Sequence, residues 1–295
     1  MTLSASPSQL PIGRRRFLQA SLCGAAGAVL YPGEIERHWI DVTHHDSVLP
    51  GLAPGMNGMR IVQLSDIHLD EYTEPYFLRQ VVDRVNRLKP DAVFLTGDFV
   101  SDILGNRNFA LGAARQCAQI LSGIQSKSVY AILGNHDVAV DAKAVTAALE
   151  SNGIPVLRNS YLPVDFAGGR IWLAGLDDVI EGHPEPDLAI PASIRSRPNE
   201  PVVLMSHCPD YADVFLAHPA AKSVALMLSG HTHGGQVRMP FLGALELPVW
   251  GRKYVEGAFR LGSMQLYVNR GIGTIGVPFR MNCPPEITLH TLRSA

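Results

Sequence analysis

From Met59 onward, short apolar runs alternate with longer segments whose apolar residues recur at helical spacing. MRIVQLSD, DAVFLTGD and SVYAILGNHD are apolar runs that end in polar residues, which is typical of buried strands. Pro75 opens a segment with one apolar helical face, and residues 107–124 predict a second helix. DAKAVTAALESNG predicts a third helix, capped by Asp141 and ended by Gly153. This βαβαβα order predicts a sheet with helices outside it.

After Gly153 the pattern changes to short apolar runs separated by turns. The predicted strands are IPVLRNS, LPVDFAGGRIWLAGL with a turn at Gly168 and Gly169, PVVLMSH, SVALMLSGH, SMQLYVNRG and PEITLHTL. One further helix is predicted from Asp210 to His218. Two sheets packed face to face, with helices on their outer sides, would bury all of these runs. We therefore predict an α/β fold, a four-layer αββα sandwich of two mixed sheets, over residues 59–295, preceded by a strand and linker at 34–58.

The composition fits a globular chain with a sizeable core, since 46% of its residues are hydrophobic and 18% are charged. Residues 34–295 hold all 27 acidic residues but 22 of the 25 basic ones, so their formal charge is 22 − 27 = −5. We expect no nucleic-acid partner, because a general nucleic-acid binder needs a basic surface. Cys117, Cys208 and Cys283 show no C-x-x-C spacing and are predicted to be buried, with at most one disulfide.

The N-terminal stretch GRRRFLQASLCGAAGAVLYPG resembles a twin-arginine export signal, with Arg14 and Arg15 as the pair. It predicts a signal or anchor over residues 1–33, the twin-arginine translocation machinery as a partner, and a periplasmic or envelope-associated bacterial protein. The alternative is a basic, flexible tail before a first helix. Residues 17–33 are too short and too weakly apolar to predict a membrane span. Whether the segment is removed or stays as a peripheral membrane anchor is open.

Polar residues of metal-binding types follow five of the predicted strands. They are Asp66 and His68 in SDIH, Asp98 in GD, Asn135, His136 and Asp137 in GNHD, His207 in SH, and His231 and His233 in GHTH. Each is a weak signal alone, because a lone Asp is usually a cap and a lone buried His is usually structural. Strand carboxyl ends meet along one sheet edge, so the whole set is expected to converge. Two histidines at i and i+2 of an extended backbone would both point inward.

The order D-x-H, G-D, G-N-H-D, H, G-H-x-H resembles the calcineurin-like metallophosphoesterases over residues 59–235. GHTHGGQ followed by RGIG at 270–273 and PEI at 285–287 is similar to their bacterial exported branch. The resemblance implies two adjacent metal ions with three groups of ligands. These are Asp66, His68 and His233 for one ion, Asn135, His207 and His231 for the other, and Asp98 as the bridge. Such ligands suit Mn, Fe, Zn or Co without choosing among them.

The implied activity is hydrolysis of phosphate esters, diesters or pyrophosphates by in-line attack of a hydroxide that bridges the metals. Two divalent ions, Asp66, Asp98 and this hydroxide leave the site near +1, which attracts a phosphate. His136 is the family's candidate for protonating the leaving oxygen, with Asp137 expected to orient it. The GD motif continues as FVSD without D-R-G, which argues against a phosphoprotein substrate.

Residues 236–259 mix large apolar residues with Arg238, Arg252 and Lys253. We expect them to line the entrance for an amphiphilic substrate, such as a lipid-linked phosphate or pyrophosphate. The alternative is an ordinary hairpin packed on the sheet. GIGTIG at 271–276 matches a dinucleotide fingerprint, but too few residues follow for the required helix and strand, so it predicts a tight loop near the site.

Two other functions compete with phosphoester hydrolysis. One is a catalytically inactive metal- or cell-wall-binding module, which the complete set of ligand types disfavours. The other is a hydrolase that applies the same bimetallic chemistry to a non-phosphate ester.

Overall fold

The computed structural model describes residues 13–70, 72–102, 105–166, 168–197 and 199–294. The first twelve residues of the predicted export signal lie outside this range. The helices are α1 (Arg14–Leu30), α2 (Pro75–Leu88), α3 (Arg107–Leu121), α4 (Asn135–Glu150), α5 (Pro186–Ala189), α6 (Ala192–Arg195) and α7 (Tyr211–Phe215). The strands are β1 (Asp41–Leu49), β2 (Arg60–Leu64), β3 (Ala92–Leu95), β4 (Val129–Ala131), β5 (Ser160–Phe166), β6 (Gly169–Gly175), β7 (Val202–Met205), β8 (Val224–Ser229), β9 (Arg238–Met239), β10 (Gly243–Ala244), β11 (Gly257–Leu261), β12 (Met264–Val268) and β13 (Glu286–Ser294).

The strands form two mixed sheets and a separate two-stranded ribbon. The first sheet has the order β1-β13-β2-β3-β4, in which β13 runs parallel to β1 and antiparallel to β2. The second has the order β11-β12-β8-β7-β6-β5, with antiparallel strands at both edges. The ribbon pairs β9 with β10. In both sheets the strands that precede the polar motifs are neighbours and run parallel, with β4 at the edge of the first sheet, so their carboxyl ends face the same way.

Three apolar layers hold the four-layer sandwich together, as predicted. Helices α2, α3 and α4 cover the first sheet, and α2 contributes the buried stripe Phe77, Val81 and Val85. Side chains such as Phe94 and Leu226 fill the space between the sheets. Helices α5 to α7 cover the second sheet. Cys117, Cys208 and Cys283 are buried and free, so no disulfide is present among the described cysteines.

Some element predictions are corrected by the fold. IPVLRNS is not a strand but a single bridge between Ala131 and Val156, because Pro155 has no N–H to extend the ladder. Strand β11 was not predicted, and the helix expected over residues 210–218 is only five residues long. The predicted β5–β6 hairpin is present, although Ala167 in its turn lies outside the described residues.

Helix α4 begins earlier than the sequence predicts. It begins at Asn135, directly after Gly134 of the GN motif. Its helical geometry breaks at Asp141. The Asp141 carboxylate accepts hydrogen bonds from the amides of Lys143 and Ala144 and so caps the second half of the helix. The cap was predicted correctly; the additional first turn carries Asn135 and His136.

The N-terminal segment packs against the body of the protein. The Pro32 carbonyl accepts from the amide of Arg280 at 3.0 Å, and the buried Glu36 side chain accepts from the amide of Cys283 at 2.7 Å. Strand β1 lies within the predicted strand and linker at 34–58. Among the described residues, no helix has the length and apolar character needed to cross a membrane.

Candidate metal centre

The seven predicted ligands all follow carboxyl ends of strands and meet where the two sheets adjoin. Asp66 and His68 follow β2, Asp98 follows β3, Asn135 follows β4, His207 follows β7, and His231 and His233 follow β8. Two triads form, each with donor atoms within 4.8 Å of one another: Asp66, His68 and His233, and Asp98, His207 and His231. Asn135 lines the same cavity as members of both triads. Which ion each residue binds stays a prediction.

Sharp turns, rather than extended backbone, direct five of the seven predicted ligands into the centre. Positive φ angles occur at Asp66, His68, Asp98, His231 and His233, between 43° and 72°. Non-glycine residues rarely adopt this left-handed conformation, and such strain concentrates at functional sites. The expectation of an extended backbone at GHTH is wrong: both histidines reach the centre, but a tight turn carries them there, and each joins a different triad.

Two glycines permit the close approach of backbone and carboxylate. A Cβ on Gly134 would lie 2.1 Å from Oδ1 of Asp98, and one on Gly230 would lie 1.8 Å from Oγ of Ser65 and 2.2 Å from Oδ2 of Asp66. Any side chain there would displace a predicted ligand. The predicted ligands Asp98 and Asp66 can therefore occupy their positions only because Gly134 and Gly230 have no side chain.

Hydrogen bonds to backbone carbonyls fix two of the imidazole rings. Nδ1 of His207 lies 2.8 Å from the carbonyl oxygen of Thr96, and Nε2 of His231 lies 2.8 Å from that of Val249. A carbonyl only accepts, so these nitrogens carry ring hydrogens, and the opposite nitrogen of each ring is the one available to a metal. Metal-bound histidines are commonly oriented in this way.

The buried groups at the centre fit a pair of cations. Nε2 of His68 and Nε2 of His233 lie 3.1 Å apart, and burial lowers the pKa of His68 to about 3 and that of His231 to about 4. The rings of His68 and His231 are therefore neutral near neutral pH, and the neutral imidazole is the form that binds metals. Oδ1 of Asn135 is buried without a hydrogen-bond partner among the described residues. Imidazole nitrogens that face one another, and a buried oxygen without a hydrogen-bond partner, cost free energy unless a cation binds them.

Asp98 belongs to the second triad and also approaches the first. Its Oδ2 is 3.1 Å from Nε2 of His207 and 3.5 Å from Nε2 of His68, while its Oδ1 accepts from the amide of His136 at 3.0 Å. The Asp98 carboxylate thus lies within 3.5 Å of an imidazole nitrogen of each triad. This is the position that a bridging ligand requires.

Asp137 does not orient His136, and this expectation is corrected. Its buried carboxylate accepts hydrogen bonds from the amides of Asp98, Phe99, Val100 and Gly134, at 2.8 to 3.2 Å. Asp137 occupies the third position of α4, from which a side chain faces the start of its own helix. It holds together the loops that carry Asp98 and Asn135. The His136 ring instead stands beside that of His68, with centroids 5.1 Å apart.

Arg280 was not predicted and is completely buried near the centre. Its guanidinium donates to the carbonyls of Arg270, Gly273 and Cys283, at 2.6 to 3.0 Å. The amide of Gly273 in turn donates to the carbonyl of Asp66 at 2.7 Å. Arg280 therefore braces the loop that holds the first ligand. A lone arginine in a proline-containing loop gives no sequence signal of this role.

A cavity of about 670 Å³ opens onto the centre. Most of its wall is apolar, and its lining residues are Asp98, Asn135, His136, Ile180, His231, Thr232, His233, Gly235, Gln236, Val237, Leu245, Glu246, Pro248, Val249, Ile275, Gly276, Val277 and Phe279. The GIGTIG loop and part of the 236–259 segment thus border the site, as predicted. Arg238, Arg252 and Lys253 do not line the cavity; Arg238 pairs with Glu256, and Lys253 pairs with Asp213.

The calcineurin-like phosphoesterase family profile matches residues 59–235, the span that holds both triads. The chain belongs to this family. It is 34% identical over 297 residues to the metallophosphoesterase YkuE of Bacillus subtilis, covering 96% of this chain and 98% of that protein. It is 30% identical to the phosphodiesterase YaeI of Escherichia coli, covering 95% and 99%.

The similarity to solved structures lies in the fold. The NAD nucleotidase of Haemophilus influenzae superposes with a TM-score of 0.52 at 16% identity, covering 72% of this chain and 45% of that one. As a calcineurin-like phosphoesterase, the protein is a metal-dependent phosphoric ester hydrolase that uses two divalent metal ions. The two triads of histidines and carboxylates agree with that requirement.

Proposed function

We propose that the protein hydrolyses phosphate diesters or pyrophosphates at a binuclear centre formed by the seven predicted ligands. The observation that carries this proposal is the approach of Asp98 to His68 of one buried triad and His207 of the other, at the wall of a large cavity. When bound, the two ions supply an activated water nucleophile and positions that hold the phosphoryl oxygens. The chain's own contribution is to fix these ligands, with His207 and His231 oriented through carbonyls.

His136 is the proposed general acid. Its amide donates to Asp98, and its side chain lines the cavity beside His68. This position lies on the substrate side of the centre, where an imidazolium can donate a proton to the departing alkoxide.

The cavity wall supports a substrate that carries an apolar group. No lysine or arginine is among the described lining residues, and Glu246 adds a negative charge. A phosphomonoester dianion would gain little from such a wall, whereas the apolar part of a diester or pyrophosphate would bury surface against Leu245 and Val249. The name of the relative YaeI, a phosphodiesterase, agrees with this preference. We propose an amphiphilic substrate of the cell envelope.

A hydrolysis screen of the purified protein tests this function. After reloading with Mn, Zn or Fe, we expect bis(p-nitrophenyl) phosphate and lipid-linked phosphates or pyrophosphates to be cleaved faster than p-nitrophenyl phosphate. Equal or faster monoester cleavage would contradict the substrate class. Metal-independent cleavage, or cleavage of carboxylate esters alone, would contradict the proposed mechanism.

We also propose export by the twin-arginine route, on the pattern that begins at Arg14 and Arg15. Replacement of both arginines by lysine keeps the charge and removes the twin-arginine pair. Cell fractionation should then find the variant in the cytoplasm and the unmodified protein in the envelope or periplasm. The same distribution for both proteins would argue against this route.

A further inference from the structure

Exposed apolar side chains lie on the wall of the cavity and in the adjoining β9–β10 turn. Phe241, Leu242, Leu245, Val249 and Val277, here called the apolar rim, are between 46% and 107% exposed. Leu245, Val249 and Val277 also line the cavity, so the rim continues the cavity wall outward. A group of exposed apolar side chains of this kind beside a cavity favours a site of interaction.

Phe241 occupies a backbone conformation that its side chain disfavours. It lies in the turn between β9 and β10 with φ of +68°, a region typical of glycine and asparagine. Its side chain is fully exposed, so intramolecular packing does not offset this strain. A strained, exposed aromatic residue beside an active-site cavity points to a contact outside the chain.

Helix α1 ends beside the same rim. Val29 and Leu30 border a cleft with Pro278 and Phe279, and Phe279 also lines the cavity. The helix is uncharged from residue 17 to residue 30, and its exposed side chains include Leu22.

The charge pattern of α1 fits a lipid surface. Arg15 and Arg16 are exposed at its start, ahead of the uncharged stretch. Cations before an exposed apolar segment match anionic headgroups above an acyl layer. A protein partner would not require this order of charge and apolar surface.

We propose that the apolar rim and α1 together dock on an anionic lipid bilayer, with the cavity mouth facing the membrane. A phosphoester borne by a lipid then reaches the metal centre while its acyl chains stay close to the bilayer. The substrate part of this inference rests on the proposed function. The docking surface itself rests on Phe241, on the rim and on the position of α1.

Vesicle sedimentation of the full-length, metal-loaded protein tests the docking surface. The rim variant combines Phe241→Asn with Leu242→Ser, and the helix variant is Leu22→Glu. Phe109→Asn is the matched control, because Phe109 is exposed on α3 and does not line the cavity. With phosphatidylethanolamine and phosphatidylglycerol vesicles, we expect each docking variant to partition about tenfold less than the unmodified protein and the control. Phosphatidylcholine vesicles should bind the unmodified protein about tenfold less.

Unchanged partitioning of either docking variant, or equal binding to both kinds of vesicle, would overturn the proposal. Hydrolysis of bis(p-nitrophenyl) phosphate without vesicles separates this outcome from a failure of the proposed function. All variants should retain that activity, since none of the four substituted residues lines the cavity. Hydrolysis without vesicle binding refutes the docking surface alone, and vesicle binding without hydrolysis refutes the function alone.

Discussion

The amide of His231 donates to both carboxylate oxygens of Asp66, at 2.9 and 3.0 Å, across 165 positions of the chain. This contact joins the end of β8 in the second sheet to the end of β2 in the first. The contact orients the Asp66 carboxylate by hydrogen bonds alone. The two halves of the metal centre are thus held in register by the protein's own backbone.

Asp98→Asn should lower phosphodiester turnover by about a hundredfold or more, because a neutral amide cannot bridge two cations as a carboxylate does. Steady-state hydrolysis and elemental analysis of the same sample measure the effect and the loss of bound metal. Asp83→Asn, at an exposed position on α2, is the control and should change neither. Near-normal turnover in Asp98→Asn would refute the bridging assignment.

His136→Ala should lower kcat by about a hundredfold while bound metal stays unchanged, because the ring lies outside both triads. The loss should shrink for esters with better leaving groups, which need less protonation. His44→Ala, at an exposed position on β1, serves as the control. Loss of metal from the His136 variant would show that this residue acts as a ligand instead.

Asp137→Asn should destabilise the fold by about 2 kcal/mol, since an amide nitrogen would face backbone N–H groups that now donate to a carboxylate. Urea denaturation measures this change in the free energy of unfolding, again with Asp83→Asn as control. If Asp137 oriented His136 instead, kcat would fall while the denaturation midpoint stayed in place.

Arg280→Met should also cost about 2 kcal/mol, because three buried carbonyls lose their donor. The Asp66 loop should loosen as well, raising the metal concentration needed for half-maximal activity. Arg79→Met, at an exposed position on α2, removes the same group without these partners. Equal stability of the two variants would contradict the bracing role.

His290 should make stability depend on pH. Burial lowers its pKa from 6.5 to about 3, so below pH 6.5 the unfolded chain binds a proton that the native protein does not bind until about pH 3. The free energy of unfolding therefore falls with falling pH across this window, by about 1.4 kcal/mol per pH unit from this group. His290→Gln should show a shallower dependence by about one proton in urea denaturation. An unchanged slope would contradict the buried neutral histidine.

The sequence alone determined the family, the mixed sheets with outer helices and the chemical types of the ligands. Hydrophobic periodicity and motifs such as GNHD and GHTH involve residues that are close in the sequence, so they can be recognised without knowledge of the fold. The positions of α2 and α3 were predicted for the same reason. IPVLRNS and β11 were not predicted correctly, because pairing with a neighbouring strand decides whether a short segment joins a sheet.

Only the tertiary structure decided how these ligands are aimed and what surrounds them. The left-handed turns at His231 and His233, the four amide donors around Asp137 and the buried guanidinium of Arg280 all depend on contacts between distant segments. The same holds for the apolar cavity, whose lining residues come from six separate stretches of the chain. Side-chain direction, burial and the pairing of backbone groups are properties of the packed chain, so no local pattern encodes them.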